Sequence, residues 1–187
     1  MASPGPLASR AAPRRRPPGA RPACLARLLP AVVTFGACRS APVPAARDGA
    51  QPEIARSITM ERLPCYGTCA VYAVTIRGDG EVHFLGIAHV ARAGEAVARI
   101  TPAGVDSLFR FLDHIGFDRL SASYTSGASA CGAYVPYLPT VTVSVVRSGV
   151  ATRVTHDYGC AAAPPVLGEL HRRIDAAAGT QRWIGGF

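Results

Sequence analysis

The sequence predicts an α+β fold, a two-layer sandwich in which a mainly antiparallel sheet carries two helices on one face. Three patterns predict it: stretches in which apolar and polar residues alternate, short glycine-containing turns between them, and two amphipathic helical segments. With 187 residues, the chain has room for one such domain. We assign this domain to residues 57–187.

In the first half of the domain, the sequence predicts a hairpin followed by a helix. Three segments have the alternation of strands: 58–63, 71–77 and 82–87. Residues 78–80, Gly-Asp-Gly, form a tight turn between the last two, and residues 89–92 are expected to continue the sheet. A helix follows, with Thr101 as its cap, Pro102 as its first residue and Gly116 at its end.

The second half repeats this arrangement. Two more segments alternate as strands: 140–147 and 150–158. Their two-residue turn, Ser148-Gly149, sets Thr140 opposite Asp157 and places Cys160 near Tyr137. A helix then opens at residues 164–165, and the apolar tail at 183–187 is expected to pack back onto the domain.

The amino terminus has the parts of an export signal. A basic region at residues 14–27 precedes an apolar run at 28–37. That run has about ten residues, whereas a membrane-spanning helix needs roughly 20. We therefore predict a signal peptide over residues 1–37 and an exported protein of the cell envelope, on the periplasmic or outer side.

Cys38 is the predicted lipidation site. Phe-Gly-Ala-Cys, at residues 35–38, resembles the lipobox of bacterial lipoproteins, in which the cysteine is acylated and anchors the protein to a membrane. Phe35 stands where leucine is usual, and the alternative is ordinary cleavage near Ala37 or Ala41 with a released product. Residues 38–56 are rich in proline and alanine and lack an apolar period, so we expect a disordered tether.

The charge distribution argues against a nucleic-acid partner. The formal net charge is +8, but six of the 20 basic residues precede Cys38 and no acidic residue does. The 14 arginines that follow face 12 acidic residues, which leaves +2 for the rest of the chain. A charge this small, spread singly, forms no basic stripe along which phosphates could bind.

Several motifs in the domain resemble a known family. They are Leu-Pro-Cys-Tyr-Gly-Thr-Cys at 63–69, a strand at 71–76 with Gly-Asp-Gly at 78–80, Leu-Pro-Thr-Val-Thr-Val at 138–143, and His-Asp-Tyr-Gly at 156–159. Together they resemble the bacterial family called domain of unknown function 6438, over roughly residues 57–178. The resemblance implies an envelope or secreted domain, often with a lipoprotein signal. It implies no activity and supplies no catalytic residue.

Four cysteines lie in the domain, and an even number in an exported chain predicts disulfides. Three pairings are possible. We favour Cys65 with Cys69 and Cys131 with Cys160, because a turn at residues 66–67 can bring the first pair within bonding reach. Zinc bound by the thiols and His156, a redox pair, and free thiols are the alternatives.

The sequence shows no catalytic set, and we expect no cofactor or metal. Residues 127–131, Gly-Ala-Ser-Ala-Cys, fall short of the Gly-x-Ser-x-Gly nucleophile motif and lie in a loop of small residues at 121–132. His83, His114 and His171 are expected on the surface.

An interaction surface is predicted where the second hairpin meets the last helix, formed by Tyr134, Tyr137, His156, Asp157 and Tyr158. Aromatic residues beside a rigid bridge bury large area at small entropic cost. Alternatively, His156 and Tyr158 pack inward on the face they share with Val154.

The leading functional hypothesis is a lipid-anchored envelope domain that binds another envelope protein or a wall component. The runner-up is a thiol- or metal-dependent envelope enzyme.

Overall fold

The computed structural model of the protein describes residues 55–185. The predicted signal peptide, the lipidation site Cys38 and most of the predicted tether lie outside these residues. Arg56, placed in the tether, belongs to the domain, because its carbonyl accepts the Gly78 N–H and its guanidinium pairs with Asp106 at 2.7 Å. No helix within residues 55–185 has both the length and the apolar character needed to span a bilayer.

Within residues 55–185, seven strands form a single sheet, and an α+β fold is confirmed. The strands are β1 Ser57–Arg62, β2 Val71–Arg77, β3 Glu81–Ala88, β4 Gly94–Arg99, β5 Ser123–Tyr124, β6 Thr140–Arg147 and β7 Val150–Asp157. Their order across the sheet is β4-β3-β2-β1-β6-β7-β5. All neighbours are antiparallel except β5, which runs parallel to β7.

Two long helices, α1 Pro102–His114 and α2 Val166–Ala178, pack on this sheet, and a short α3 follows at Gln181–Ile184. Thr101 caps α1 as predicted, since its Oγ1 accepts the Gly104 N–H at 3.2 Å. The chain leaves α2 at Gly179, whose φ of 65° suits glycine. The inward residues of both helices and of the sheet form one apolar core.

The predicted tail packs back as expected at Trp183, which is 7% exposed and stacks on Phe84 of β3 with ring centroids 4.8 Å apart. The predicted register of the second hairpin is also confirmed, with Thr140 opposite Asp157. The turn at its tip is made by Ser148 and Gly149, both with positive φ.

Two expectations about strands were wrong. Residues 89–92 do not continue β3; the chain turns there, with His89 at a φ of 51°, and returns as the separate strand β4. Half of the six residues of β4 are alanine or glycine and only Val97 is β-branched, so the segment has little of the composition by which a strand is recognised. The small-residue loop at 121–132 contains β5, whose two residues are too few to show alternation.

Both disulfides lie at the same end of the sheet. The register places Arg62 opposite Tyr72 and Val141, and Thr140 opposite Asp157. The end of β1, the beginnings of β2 and β6 and the end of β7 therefore meet. We call this the disulfide end; the opposite end, with the turns at 78–80 and 148–149, is the hairpin end.

Candidate functional site

Arg62, the last residue of β1, lies on the inner face of the sheet at the disulfide end. Strand alternation places it on the same face as the fully buried Ile58 and Met60. Its Nη2 donates to Asp175 Oδ2 of α2 at 2.6 Å, and its Nε donates to the Tyr72 hydroxyl at 2.8 Å. The Tyr72 hydroxyl donates in turn to Asp175 Oδ1 at 2.6 Å. These three side chains, which we call the Arg62 cluster, therefore close a triangle of hydrogen bonds.

Within the Arg62 cluster, the positive charge of Arg62 and the negative charge of Asp175 stabilise each other. Burial by itself would lower the pKa of Arg62, but the Asp175 carboxylate and the hydroxyl of Tyr72 together outweigh burial, and the pKa is raised. Burial and then Asp175 raise the pKa of Tyr72, so its hydroxyl stays protonated and able to donate. Thr180 Oγ1 adds another donor to Asp175 at 2.8 Å. Hydrogen bonding of this kind offsets the cost of placing a charged pair away from water.

A second polar group forms where β7 meets α2. His171 is 1% exposed, so its predicted surface position was wrong; it lies on the inward stripe of α2. Its Nδ1 and the Tyr158 hydroxyl share a hydrogen bond of 2.9 Å. The His156 ring stacks on Tyr158 with centroids 4.7 Å apart. Burial, followed by the nearby charge of Arg62, lowers the pKa of His171 to about 3, so this imidazole is neutral at physiological pH.

A cleft opens beside the Arg62 cluster, under a loop that the first disulfide closes. Cys65 and Cys69 are bonded, with Cα atoms 5.8 Å apart. Gly67, within the loop, has a φ of 133°, which favours glycine. The cleft has a volume of about 480 Å³, within the range of small-molecule sites. The Arg62 cluster, in which Tyr72 is buried and the other two side chains are partly exposed, lines the cleft together with the disulfide loop, in which Thr68 is exposed.

Tyr66 lines the cleft and contacts a second exposed tyrosine, Tyr137, which is not itself among the lining residues. Tyr66 is 84% exposed and Tyr137 is 69% exposed, and their ring centroids are 5.2 Å apart. The Tyr66 N–H donates to the Tyr137 carbonyl at 3.3 Å, which ties the disulfide loop to the segment before β6. We call Tyr66 and Tyr137 the tyrosine rim.

Tyr137 reaches Tyr66 because the predicted pairing beyond the second hairpin slips by three residues. Cys160 was expected near Tyr137, but it pairs with Tyr134. The pairing is in register as far as Pro139, whose carbonyl accepts the Tyr158 N–H; it resumes where the Val135 N–H donates to Gly159. Residues 136–138 loop out between these points, and Tyr137 takes a φ of 73°. That left-handed conformation turns the chain toward the disulfide loop.

The five residues of the predicted interaction surface divide between core and surface. Tyr137 and Tyr134, at 69% and 38% exposed, lie at the surface, whereas His156 and Asp157 are buried. Tyr158 is partly exposed and points its hydroxyl inward to His171. His156 therefore packs inward, as the alternative interpretation had it.

Asp157 has a structural role in this region. One of its oxygens accepts the Gly159 N–H at 2.8 Å, and the other accepts the Tyr134 hydroxyl at 3.0 Å. A side chain at position 159 would collide with the Val135 carbonyl, because its Cβ would lie 1.9 Å from that oxygen. The Asp-Tyr-Gly sequence thus holds the chain that follows β7 against the segment that precedes β6.

The second disulfide lies in the core. Cys131 and Cys160 are bonded, with Cα atoms 4.6 Å apart, and they are 1% and 4% exposed. All four cysteines of the domain are thus paired in the way the sequence favoured. Among residues 55–185, no three side chains of the kinds His, Cys, Asp and Glu converge on a point where they could hold a metal ion.

The structure assembles the cleft from residues that sequence reasoning had not grouped. Arg62, Tyr66 and Asp175 were missed as site residues. Two signals could have revealed them: Arg62 continues the inward alternation of β1, and Asp175 follows His171 by four positions on the inward stripe of α2. Chemically, the cleft offers a guanidinium, rigid aromatic edges and apolar walls, which suits binding.

A comparison with protein-family models matches residues 56–178 to the family described as Domain of unknown function (DUF6438). The matched residues include both disulfides, the Arg62 cluster and the tyrosine rim. A comparison with curated proteins found no match.

Proposed function

Since this chain belongs to the family Domain of unknown function (DUF6438), we propose that its function resides in the cleft at the disulfide end, and that it is a bacterial binding module of the cell envelope. In this proposal the protein is exported, anchored to a membrane by a lipid on Cys38, and binds another envelope protein or a wall component. The observation that carries the binding role is the cleft itself, of about 480 Å³, which the Arg62 cluster and the Cys65–Cys69 loop line together.

The chemistry of the cleft indicates what a ligand must offer. Of the guanidinium nitrogens of Arg62, Nε and Nη2 are used within the cluster, whereas Nη1 makes no hydrogen bond with any residue among 55–185. That donor is available to a carbonyl, hydroxyl or carboxylate oxygen. Ala70, Pro139 and Ile184 supply apolar lining. A ligand with one oxygen acceptor beside an apolar portion fits this set.

Rigidity favours binding at this site. The disulfide fixes the loop from Cys65 to Cys69, and the Tyr66 N–H fixes it again to Tyr137. A preformed rim loses little conformational entropy when a ligand binds, so more of the contact energy is retained. Tyrosines contribute large contact area with few rotatable bonds.

The point at which the chain enters the domain supports an anchored arrangement. β1 begins at Ser57 at the hairpin end, and Arg62, at its other end, lies in the cleft. Six residues of strand separate the two by roughly 20 Å. A tether attached at the hairpin end leaves the disulfide end free to meet a ligand.

Site-specific photo-crosslinking in intact cells tests the binding role. A photo-crosslinking amino acid at Thr68, on the rim, should yield a discrete adduct to a protein or to wall material. The matched control is the same amino acid at Ser148, which is exposed at the hairpin end. Adducts of equal yield at both positions, or none at Thr68, would refute the cleft as the binding site.

Membrane fractionation tests the anchor separately. Cys38→Ala should release the protein from the membrane fraction, and the wild-type protein should carry the mass of an acyl group. A variant that stays with the membrane, together with a wild-type protein lacking acyl mass, would contradict the lipid anchor but not the cleft.

A thiol-dependent enzyme is the second candidate, because the Cys65–Cys69 bond borders the cleft and its loop is exposed to reductants. Alkylation of the protein purified from its envelope, with and without mild dithiol treatment, measures accessible thiols. Elemental analysis of the same sample measures zinc. Reactive thiols before reduction, or one zinc per chain, would favour the enzyme over the binding module.

A further inference from the structure

In the part of the chain that the structure describes, no strand pairs with the outer edge of β4. β4, Gly94–Arg99, ends the sheet on the side away from β5 and has β3 as its neighbour. Its six residues pair with β3 without a register shift and include no proline. Natural proteins commonly protect an edge strand with a bulge or a proline, because its free N–H and C=O groups can template another strand.

The hydrogen bonds identify which residues direct their backbone groups outward. The Ile100 N–H donates to the Gly80 carbonyl at 2.9 Å, in line with the β3–β4 register. In an antiparallel ladder the inward and outward groups alternate residue by residue. Glu95, Val97 and Arg99 therefore point their N–H and C=O groups away from β3. Accordingly, the Glu95 carbonyl accepts a guanidinium N–H of Arg92 from outside the ladder, at 3.2 Å.

The side chains of these same three residues form a self-complementary pattern. All three are exposed, and Val97 is 62% exposed. Glu95 and Arg99 carry opposite charges at equal distances on either side of Val97. If two such strands pair antiparallel about Val97, each Glu95 lies opposite an Arg99, and the two valines lie opposite each other.

We propose that β4 pairs with β4 of a second copy of this chain, about a two-fold axis at Val97, to form one continuous 14-stranded sheet. The three outward residues of one copy meet the three of the other in hydrogen-bonded pairs, with six backbone hydrogen bonds in all once the Arg92 guanidinium leaves the Glu95 carbonyl of each copy. Arg99, now 3.8 Å from Glu81 in its own chain, would turn to Glu95 of the second copy. Charge complementarity of β4 with itself is what selects a second copy over another partner.

Cysteine crosslinking in intact cells, with the full chain, tests this arrangement. Directly opposed residues in a hydrogen-bonded antiparallel pair have Cα atoms about 5.5 Å apart, a spacing that a disulfide spans. Val97→Cys should therefore give a disulfide-linked dimer on a non-reducing gel. The matched control is Ile87→Cys, because Ile87 is 60% exposed but lies on β3, one strand away from the axis. The unmutated chain reports any background from Cys24 and Cys38.

Charge reversal in the Val97→Cys background tests the register. Glu95→Arg or Arg99→Glu alone creates two like-charge pairs across the axis and should lower the crosslinked fraction about tenfold. The two together restore both ion pairs and should return the fraction to the starting level. No dimer with Val97→Cys, equal dimer with Ile87→Cys, a crosslink to a different polypeptide, or failure of the double reversal to restore the dimer would each overturn the proposal.

Discussion

Arg62 Nη2 and Asp175 Oδ2 lie 2.6 Å apart, although 113 positions separate the two residues in the chain. This contact joins the end of the central strand to the last turn of α2, and both residues line the cleft. Each side chain is 20% exposed. The pair therefore couples the stability of the domain to the geometry of the proposed binding site.

We expect Asp175→Asn to lower the free energy of unfolding by about 2 to 3 kcal/mol, because it leaves the Arg62 guanidinium largely buried without a counter-charge. Urea denaturation under oxidising conditions measures the change. Asp106→Asn is the matched control, since it removes the partner of Arg56 at a site where the carboxylate is 46% exposed. The free energy of unfolding of Asp106→Asn should fall by less than about 1 kcal/mol. Equal losses in the two variants would contradict a special role for the Arg62–Asp175 pair.

The alternation of apolar residues was sufficient to predict most of the sheet. Tyr72, Val74 and Ile76 all face the core, and Thr140 stands opposite Asp157, because one buried face and one short turn fix a register. The same rule failed for β4, whose residues are mostly small or charged and sit at an edge where burial exerts little selection.

The candidate site was predicted less well, because its residues belong to distant elements. The position of Tyr137 depends on the loop formed by residues 136–138, and no local sequence pattern predicts this loop. His171 was misplaced because charged neighbours in sequence suggested exposure, whereas its helical position puts it on the buried stripe. Long-range pairing such as Arg62 with Asp175 becomes visible only once the elements are packed.

The second disulfide should stabilise the domain more than the first. Cys131 and Cys160 close a separation of 29 residues, and Cys65 and Cys69 a separation of four. On the chain-entropy model the longer loop contributes about 3.5 kcal/mol and the shorter about 2 kcal/mol. Replacing both cysteines of each pair by alanine and comparing urea midpoints measures the difference. Equal midpoint shifts would count against the loop-length account.

Acid should destabilise the domain through its buried histidines. Burial lowers the pKa of His156, and the pKa of His171 falls to about 3. Between the unfolded value near 6.5 and the folded values, the unfolded chain binds protons that the folded chain does not, so stability falls as pH falls. A histidine whose pKa falls as far as that of His171 contributes a slope that approaches about 1.4 kcal/mol per pH unit between the two values.

His171→Gln should flatten that slope between pH 6.5 and 5, because glutamine does not titrate and its amide oxygen can still accept from Tyr158. The free energy of unfolding, measured by urea denaturation at several pH values, reports the slope. His114→Gln, at the exposed end of α1, is the control and should leave the slope as in the wild-type protein. The same slope in all three proteins would show that His171 gains its proton in the folded state as readily as in the unfolded state.

Tyr137 has a backbone conformation that costs stability, and its contact with Tyr66, which lines the cleft, suggests what that cost supports. Its φ of 73° lies in the left-handed region, where a side chain other than that of glycine is strained. Tyr137→Gly relieves the strain but increases the freedom of the unfolded chain and removes the contact with Tyr66. We therefore expect stability to change by no more than about 1 kcal/mol, whereas crosslinking from Thr68 should fall sharply because half of the tyrosine rim is gone.

Ser148→Gly is the matched control: Ser148 has a φ of 48° in the turn at the hairpin end, so its replacement relieves similar strain and should leave crosslinking unchanged. A loss of more than about 2 kcal/mol in Tyr137→Gly would assign Tyr137 a structural role, and unchanged crosslinking would remove it from the binding site.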